Sequence, residues 1–396
     1  MKNKASLSII FLTVFIDLMG FGILIPLLPT FASKALNVSD FGIGIIIAIY
    51  SLVQFLTSPL LGRVSDRIGR RPIILVTLLL TAVSYVIFSF ANTFLILLLS
   101  RMLAGLGGSN IGVAQAYIAD ITTKHDRSKG MGIIGAAFGL GFVFGPFIGG
   151  LLSGYGYAVA GFASAGFSLL AFLFAFFFLP ESLREKRREK KFNFKLFEFK
   201  FVKEVIAYPN LGMLVLLFFV IVFSIANIYG TFALLGFKEY GFTDKQNGYL
   251  FGIIGLVGAI VQGGLIRYLA KYISDKMLVI AGLFLMSIGL GMLPYGGNFL
   301  GLALVATVLA FGTGILQPTI LSLVSKYAPD ENQGAVLGLN QSLASLARVL
   351  GPLWGGFAFD FLGYQFPFLT GAAFTFVALI FIIYNLKIKQ LKEASN

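Results

Sequence analysis

Three groups of residues in this chain can do chemistry. The first is Asp17, alone in the apolar run FLTVFIDLMGFGILIPLL. It lies about ten residues into that run, roughly 15 Å along a helix at 1.5 Å per residue. No other Asp or Glu sits as deep in an apolar segment. An ionisable group inside a bilayer is costly and marks a functional position by default. Burial opposes its charge and a nearby cation favours it, so a balanced carboxylate can take up and lose a proton as water access alternates. The bland alternative is a structural acid bonded to helix backbone near Gly20 or Gly22. The second group is a pair of deep arginines, Arg101 and Arg348. A guanidinium stays charged and carries no proton itself, but it can tune a carboxylate or polarise a water. Arg348 suits an anionic or zwitterionic group on a small molecule, against the plain alternative of snorkelling or a backbone contact.

The third group is the stretch LGRVSDRIGRRPI, Leu61 to Ile73, which sets Arg63, Asp66, Arg67, Arg70 and Arg71 between two long apolar runs. Cations there would mark one side of a membrane, but that role needs neither Asp66 nor the two glycines. Gly62, lacking a Cβ, would let two helices approach closely. Gly69 would allow a tight reversal with positive φ.

Long helices must position these residues. The chain has 396 residues, of which 58% are hydrophobic and 12% charged, against about 25% charged in a typical soluble domain. The apolar residues fall in blocks of about 20, the length that spans a bilayer core. Strand-like alternation, as in outer-membrane barrels, is absent. The reading is an all-α integral membrane protein with twelve spans: 7–30, 41–61, 73–91, 94–117, 131–153, 159–179, 210–235, 246–268, 277–295, 298–324, 334–358 and 365–386. The first block is too long for a cleaved signal, and no A-x-A-like site follows it.

The net charge of +13 does not point to nucleic acid, because Lys and Arg gather in alternate loops. That distribution places those loops, and both termini, in the cytoplasm, in an inner or plasma membrane. The opposite loops hold only Lys34, Lys238 and Lys245. No cysteine is present, which excludes disulfides and thiolate metal sites. His125 reads as a solvated loop residue. No His-rich box, metal-spaced acids, nucleophile elbow or nucleotide-binding P-loop occurs, so an enzyme or ATPase is not expected. No cofactor is expected.

The segment 181–209, basic and then Phe-rich, separates residues 1–180 from 210–396 and reads as a tether at the membrane surface. The two flanking parts look like relatives. GFVFGPFIGG and ARVLGPLWGG place Gly145-Pro146 against Gly351-Pro352, and Gly149-Gly150 against Gly355-Gly356, at an offset of 206 (351 − 145). Such repeats mark transporters whose halves rock around a central site. Gln54, Asn110, Gln115, Gln262, Gln317 and Asn340, with Arg348, are the polar candidates for a substrate pocket. Amides also serve as glue between helices.

These motifs resemble the major facilitator superfamily. GRVSDRIGRRP is similar to its loop between spans two and three, DLMGFGILIPLLP to the first-helix motif of its drug/proton antiporters, RMLAGLGGSN to the arginine motif of span four, and GAAFGLGFVFGPFIGG to the antiporter motif of span five. AYIADIT and QGAVLGLNQSL resemble the tetracycline-exporter branch. The resemblance covers nearly the whole chain and implies the major facilitator fold, twelve helices in two pseudo-symmetric six-helix halves. It implies efflux of a small amphiphilic compound driven by a proton gradient, with protons and membrane lipid as the other partners and a monomer as the unit. A facilitator or symporter importing a sugar or organic anion is the alternative. It assigns proton coupling to Asp17 and Arg101. It assigns a conformational latch to Gly62, Asp66, Arg67, Gly69, Arg70, Arg71 and Asp120, with Arg70 pairing Asp120 and Asp66 facing the start of span eleven near Gly334. It makes Gly141, Gly145, Pro146, Gly149 and Gly150 a seal against leak. Two features depart from tetracycline exporters: Gly258 stands where they carry a histidine in span eight, and span nine has no acid.

Overall fold

The computed structural model describes residues 2–123, 127–183, 199–329 and 333–394. His125 and the basic half of the tether lie outside the described residues.

Helix breaks follow local sequence. The first span is α1 (Lys2–Leu24) and α2 (Leu27–Leu36), parted at Pro26, whose ring lacks an N–H and clashes one turn back. Asn37, at φ 51°, closes α2, and Ser39 caps α3 (Asp40–Ile68) by accepting from Gly42 N at 3.1 Å. Gly69, at φ 117°, turns the chain into α4 (Arg70–Ser89); that backbone conformation strains any residue with a Cβ. The fourth span is α5 (Phe94–Gly107) and α6 (Asn110–Ile121), broken at Gly108 and Ser109. Then come α7 (Arg127–Leu152), α8 (Tyr157–Phe178), the short α9 (Phe199–Ala207) and α10 (Pro209–Leu234), which ends in a π turn, Leu235–Glu239. A second π turn, Val261–Leu265, joins α11 (Asp244–Ile260) to α12 (Ile266–Tyr272). The series closes with α13 (Asp275–Met292), α14 (Phe299–Tyr327), α15 (Gln333–Phe361) and α16 (Phe366–Ala394).

Eleven of the described helical stretches are long and apolar enough to cross a membrane, against twelve expected. The one that falls short is α15. At 29 residues it has ample length, roughly 43 Å. Its polarity is the reason: Asn340, Gln341, Ser342, Ser345 and Arg348 crowd its first half. Side chains such as Phe177, Leu95 and Val377 are 71%, 61% and 63% exposed. In water they would form an aggregation surface; on helices of this length and hydropathy they suit a lipid environment.

Contacts divide the chain into two compact units, Met1–Phe194 with Phe232–Leu256, and Lys195–Thr231 with Val257–Asn396. Residues 232–256 thus pack with helices of the first sequence half, which the repeat boundaries alone do not indicate. In the first unit α7 packs through small residues on two sides. A Cβ on Gly145 would lie 2.5 Å from Gly22 Cα, and one on Gly141 2.8 Å from Leu18 Cβ, both on α1. On the other side a Cβ on Gly248 of α11 would lie 2.7 Å from Gly150 Cα. The repeat reappears in the second unit, where a Cβ on Gly351 would lie 2.8 Å from Asn227 N of α10. Both helices run unbroken through Pro146 and Pro352.

Backbone stands opposite backbone at Gly145, so nothing can yield but the helices. Gly145→Val is expected to destabilise the fold by about 1–3 kcal/mol, the cost of overpacking. Thermal unfolding of the detergent-purified protein checks this, with Gly135→Val as the control, since a Cβ on Gly135 meets nothing within 4 Å.

Candidate functional site

Asp17 sits on α1 where α6 and α8 cross it, 6% exposed. Its Oδ2 accepts from Asn110 Nδ2 at 2.9 Å and its Oδ1 from Ser168 Oγ at 2.8 Å. Ile10, Val14 and Leu18 of α1 are buried in the same cluster as Val113 and Ala114 of α6 and Ala171 of α8. This apolar wall fixes the helix faces that bring the three polar groups together. Asn110 Oδ1 is buried with no hydrogen-bond partner among the described residues. Both neighbours of Asp17 can donate or accept. The carboxylate takes two donated bonds; a protonated carboxyl can give its own proton to Ser168 Oγ or to Asn110 Oδ1 after an amide turn. The pocket therefore offers Asp17 a partner for each oxygen in either protonation state, and the unpartnered Asn110 Oδ1 is a ready acceptor once the carboxyl carries a proton.

Arg101 on α5 is 3% exposed. Its guanidinium lies 5.9 Å from the Tyr50 ring centroid and 5.7 Å from that of Tyr85, an aromatic cage of the kind that attracts a desolvated cation. Nε and Nη2 have no hydrogen-bond partner among the described residues. No ion pair joins Arg101 to Asp17 among those residues. Instead the Tyr85 phenol stands within electrostatic reach of both. The proton-coupling pair expected from the sequence is thus a cluster of six, with Tyr50, Tyr85 and Ser168 as additions. Nothing in the sequence separates these three from other tyrosines and serines of the spans.

The basic turn forms a knot. Arg70 is buried, and its Nη2 lies 2.5 Å from Asp66 Oδ1 and its Nε 3.1 Å from Asp120 Oδ2. Its Nη1 donates to Ser65 Oγ at 2.5 Å and to the Gly62 carbonyl at 3.3 Å. Glu181, just after α8, caps α4: its Oε1 accepts from Arg70 N at 2.9 Å and its Oε2 from Arg71 N at 3.2 Å. A carboxylate is favoured at a helix N-terminus. Ser182 Oγ donates to Asp120 Oδ2 at 3.0 Å, and Arg71 Nη2 to the Phe176 carbonyl at 2.6 Å. Arg67 is exposed at the end of α3. One expectation changes. A Cβ on Gly62 would meet nothing within 4 Å, so the close helix approach is not made at this glycine among the described residues; its carbonyl is what the knot uses. Asp66 pairs with Arg70, and residues 330–332, which lead into span eleven, lie outside the described residues, so its facing toward Gly334 stays an expectation. Sequence reasoning missed Glu181, Ser65 and Ser182 at this knot; for Glu181, an acid directly after a span was a visible signal.

The amide candidates scatter. Gln54 Nε2 donates to the Gly108 carbonyl at 2.8 Å, tying α3 to the break in the fourth span, and Asn110 is committed to Asp17. Gln115 and Gln262 are exposed, and Gln317 is half-buried. In the second unit Asn340 is 1% exposed, and neither its Oδ1 nor its Nδ2 has a partner among the described residues. Arg348 donates to Ser345 Oγ at 3.0 Å and lies within electrostatic reach of Tyr229 on α10.

The sequence profile described as Major Facilitator Superfamily matches residues 10–276 and 264–395. The chain is 31% identical to "Multidrug resistance protein 2" of Bacillus subtilis (strain 168) over 386 residues, which is 96% of this chain and 94% of that one. It is 32% identical to "Tetracycline resistance protein, class E" of Escherichia coli over 357 residues, covering 88% and 86%. Among solved structures, the human organic anion transporter MFSD10 (TETRAN) is 27% identical with a TM-score of 0.72, covering 96% of this chain and 100% of that one.

Proposed function

The chain belongs to the major facilitator superfamily, and from that premise we propose that it is a proton-coupled exporter of small amphiphilic compounds, drug-like molecules among them, working by alternating access with both termini in the cytoplasm. The family is one of transporters, not enzymes, and the chain is a multi-pass membrane protein. The observation that carries the finer reading is the Asp17 site: a buried acid whose two partners serve either protonation state. Drug and tetracycline resistance proteins among its relatives support export as the direction. With no acid in span nine and Gly258 in span eight, the substrate class stays at amphiphilic compounds rather than tetracycline itself. In the cycle, substrate loads from the cytoplasm, the carrier turns outward, and protonation of Asp17 promotes release or return.

Purified protein in liposomes with a trapped pH dye tests this. A proton gradient is imposed, and a panel of drugs including a tetracycline is added. Drug-induced proton flux is expected. Drug movement down its own gradient with no proton flux would leave a facilitator.

Arg348 favours a second reading, transport of an organic anion, the class named for the human relative. A charged hydrogen bond contributes about 1.5–3 kcal/mol. Arg348→Ala is therefore expected to raise KM for anionic or zwitterionic substrates by roughly tenfold or more, with neutral ones unaffected. An unchanged substrate range and affinity would remove Arg348 from the site.

A further inference from the structure

Four charges stand at the far end of α3 from the basic turn. Lys238 Nζ lies 2.6 Å from Asp40 Oδ1 and 2.7 Å from its Oδ2. Lys34 Nζ lies 3.6 Å from Asp244 Oδ2, and also 4.0 Å from the Phe237 ring centroid. All four residues belong to the first compact unit. The pairs are related by the internal repeat. Lys34 precedes Asp40 by six residues, and Lys238 precedes Asp244 by six (40 − 34 and 244 − 238). Lys34 and Lys238 are 204 apart, as are Asp40 and Asp244 (238 − 34 and 244 − 40). In each repeat the lysine lies in the last turn of the opening span, and the aspartate lies in the first turn of the next long helix, α3 or α11. Each lysine reaches across to the aspartate of the other repeat, so the contact is reciprocal.

Ordinary solvated loop charges would not look like this. The aspartate side chains are 7% and 13% exposed, against 34% and 32% for their lysines. Asp244 Oδ2 also accepts from Tyr157 Oη at 2.8 Å. Each helix N-terminus favours the carboxylate, and the opposite repeat supplies its counter-ion. Nearby, Gly150 and Gly248 bring backbones of the two repeats together with no side chain between them.

We propose that Lys34–Asp244 and Lys238–Asp40 are a symmetric clasp that holds this end of the pathway shut, and that its opening is a step of the transport cycle. The clasp positions the two repeats and touches no substrate. It rests on the alternating-access reading given above.

The chain has no cysteine, so spin labels can be placed without background. Ala35→Cys and Glu239→Cys are exposed positions beside the clasp. Distances between the labels are measured by pulsed electron resonance in lipid nanodiscs. The paired variants Lys34→Gln/Lys238→Gln and Lys34→Arg/Lys238→Arg are compared with the labelled parent. The lysines are part-exposed, so both variants are expected to fold. The glutamines should shift population from the short to a longer distance, by roughly two- to fivefold per bridge, the range of a part-exposed ion pair. The arginines, which keep the charge, should hold the parent distribution. Raising salt should move the parent toward the glutamine variant. A glutamine variant identical to the parent overturns the clasp, and so does an arginine variant as open as the glutamine one. The readout needs no substrate: a clasp that opens in a protein without drug-driven proton flux would stand while the antiport reading fell.

Discussion

Replacing Asp17 by an asparagine is expected to reduce drug-driven proton movement in proteoliposomes to the level of protein-free vesicles, while the protein still folds. The substitution keeps the shape of the side chain and removes its charge. The introduced amide can accept from Ser168 through its oxygen and donate to Asn110 Oδ1, the atom left without a partner beside Asp17. With the Asn110 amide turned, the site keeps two hydrogen bonds and one unpartnered Asn110 atom, as in the parent, so thermal unfolding should change by no more than about 1 kcal/mol. Coupling differs in kind, because an amide does not titrate in the accessible range and cannot pick up the proton that drives the cycle. The variant should still exchange substrate down a gradient, locked as if permanently protonated. Asp17→Glu, longer by one methylene in a packed site, should retain part of the flux. Parent-like proton flux in Asp17→Asn would end the coupling role of this residue and leave it a structural acid.

Arg101 shows why the sequence reaches this site only in part. Charge in an apolar run is visible without coordinates, so Asp17, Arg101 and Arg348 stand out at once. Their surroundings are not visible. Asn110 reads as one of several amides, and only the crossing of α1 with α6 turns it into the partner of Asp17. Tyr50 and Tyr85 carry no mark that separates them from lipid-facing aromatics, yet they form the cage around Arg101. The helices themselves are legible because apolar length is a direct physical requirement of the bilayer. The break at Gly108 and the π turns are not, since they depend on what packs beside the backbone. Gly62 shows the opposite error: its lack of a Cβ suggests a packing role, where the structure uses its carbonyl. The lysine–aspartate clasp is present in the sequence as two equal six-residue spacings. It hides there because sparse charges in the opposite loops read first as an orientation signal.

The second large effect is expected at Arg70. Its guanidinium serves Asp66, Asp120, Ser65 and the Gly62 carbonyl at once, and its side chain is 8% exposed. Arg70→Ala strands two carboxylates beside each other with their shared counter-ion gone. Breaking a fully buried pair costs about 3–5 kcal/mol. Asp66 and Asp120 are 40% and 24% exposed, and solvent screening lowers the expectation to about 2–3 kcal/mol. Arg70→Lys should recover little, because a point charge on a flexible stem cannot reproduce a planar fork that meets four acceptors. Asp120→Asn should cost less than Arg70→Ala, since Ser182 can still donate to its oxygen. Thermal unfolding of the three purified variants gives the order, and parent-like unfolding of Arg70→Ala would remove the knot from the account. The same variants separate two roles for the basic turn. Every partner of Arg70 described above lies on α3 or α6 or is Glu181, just after α8. A knot of that kind stiffens one half, so transport should fall with the amount of folded protein while the rate per folded molecule stays near the parent. A latch between halves would instead change the rate per folded molecule, and shift the labelled distances at the lysine–aspartate clasp, in protein that unfolds like the parent.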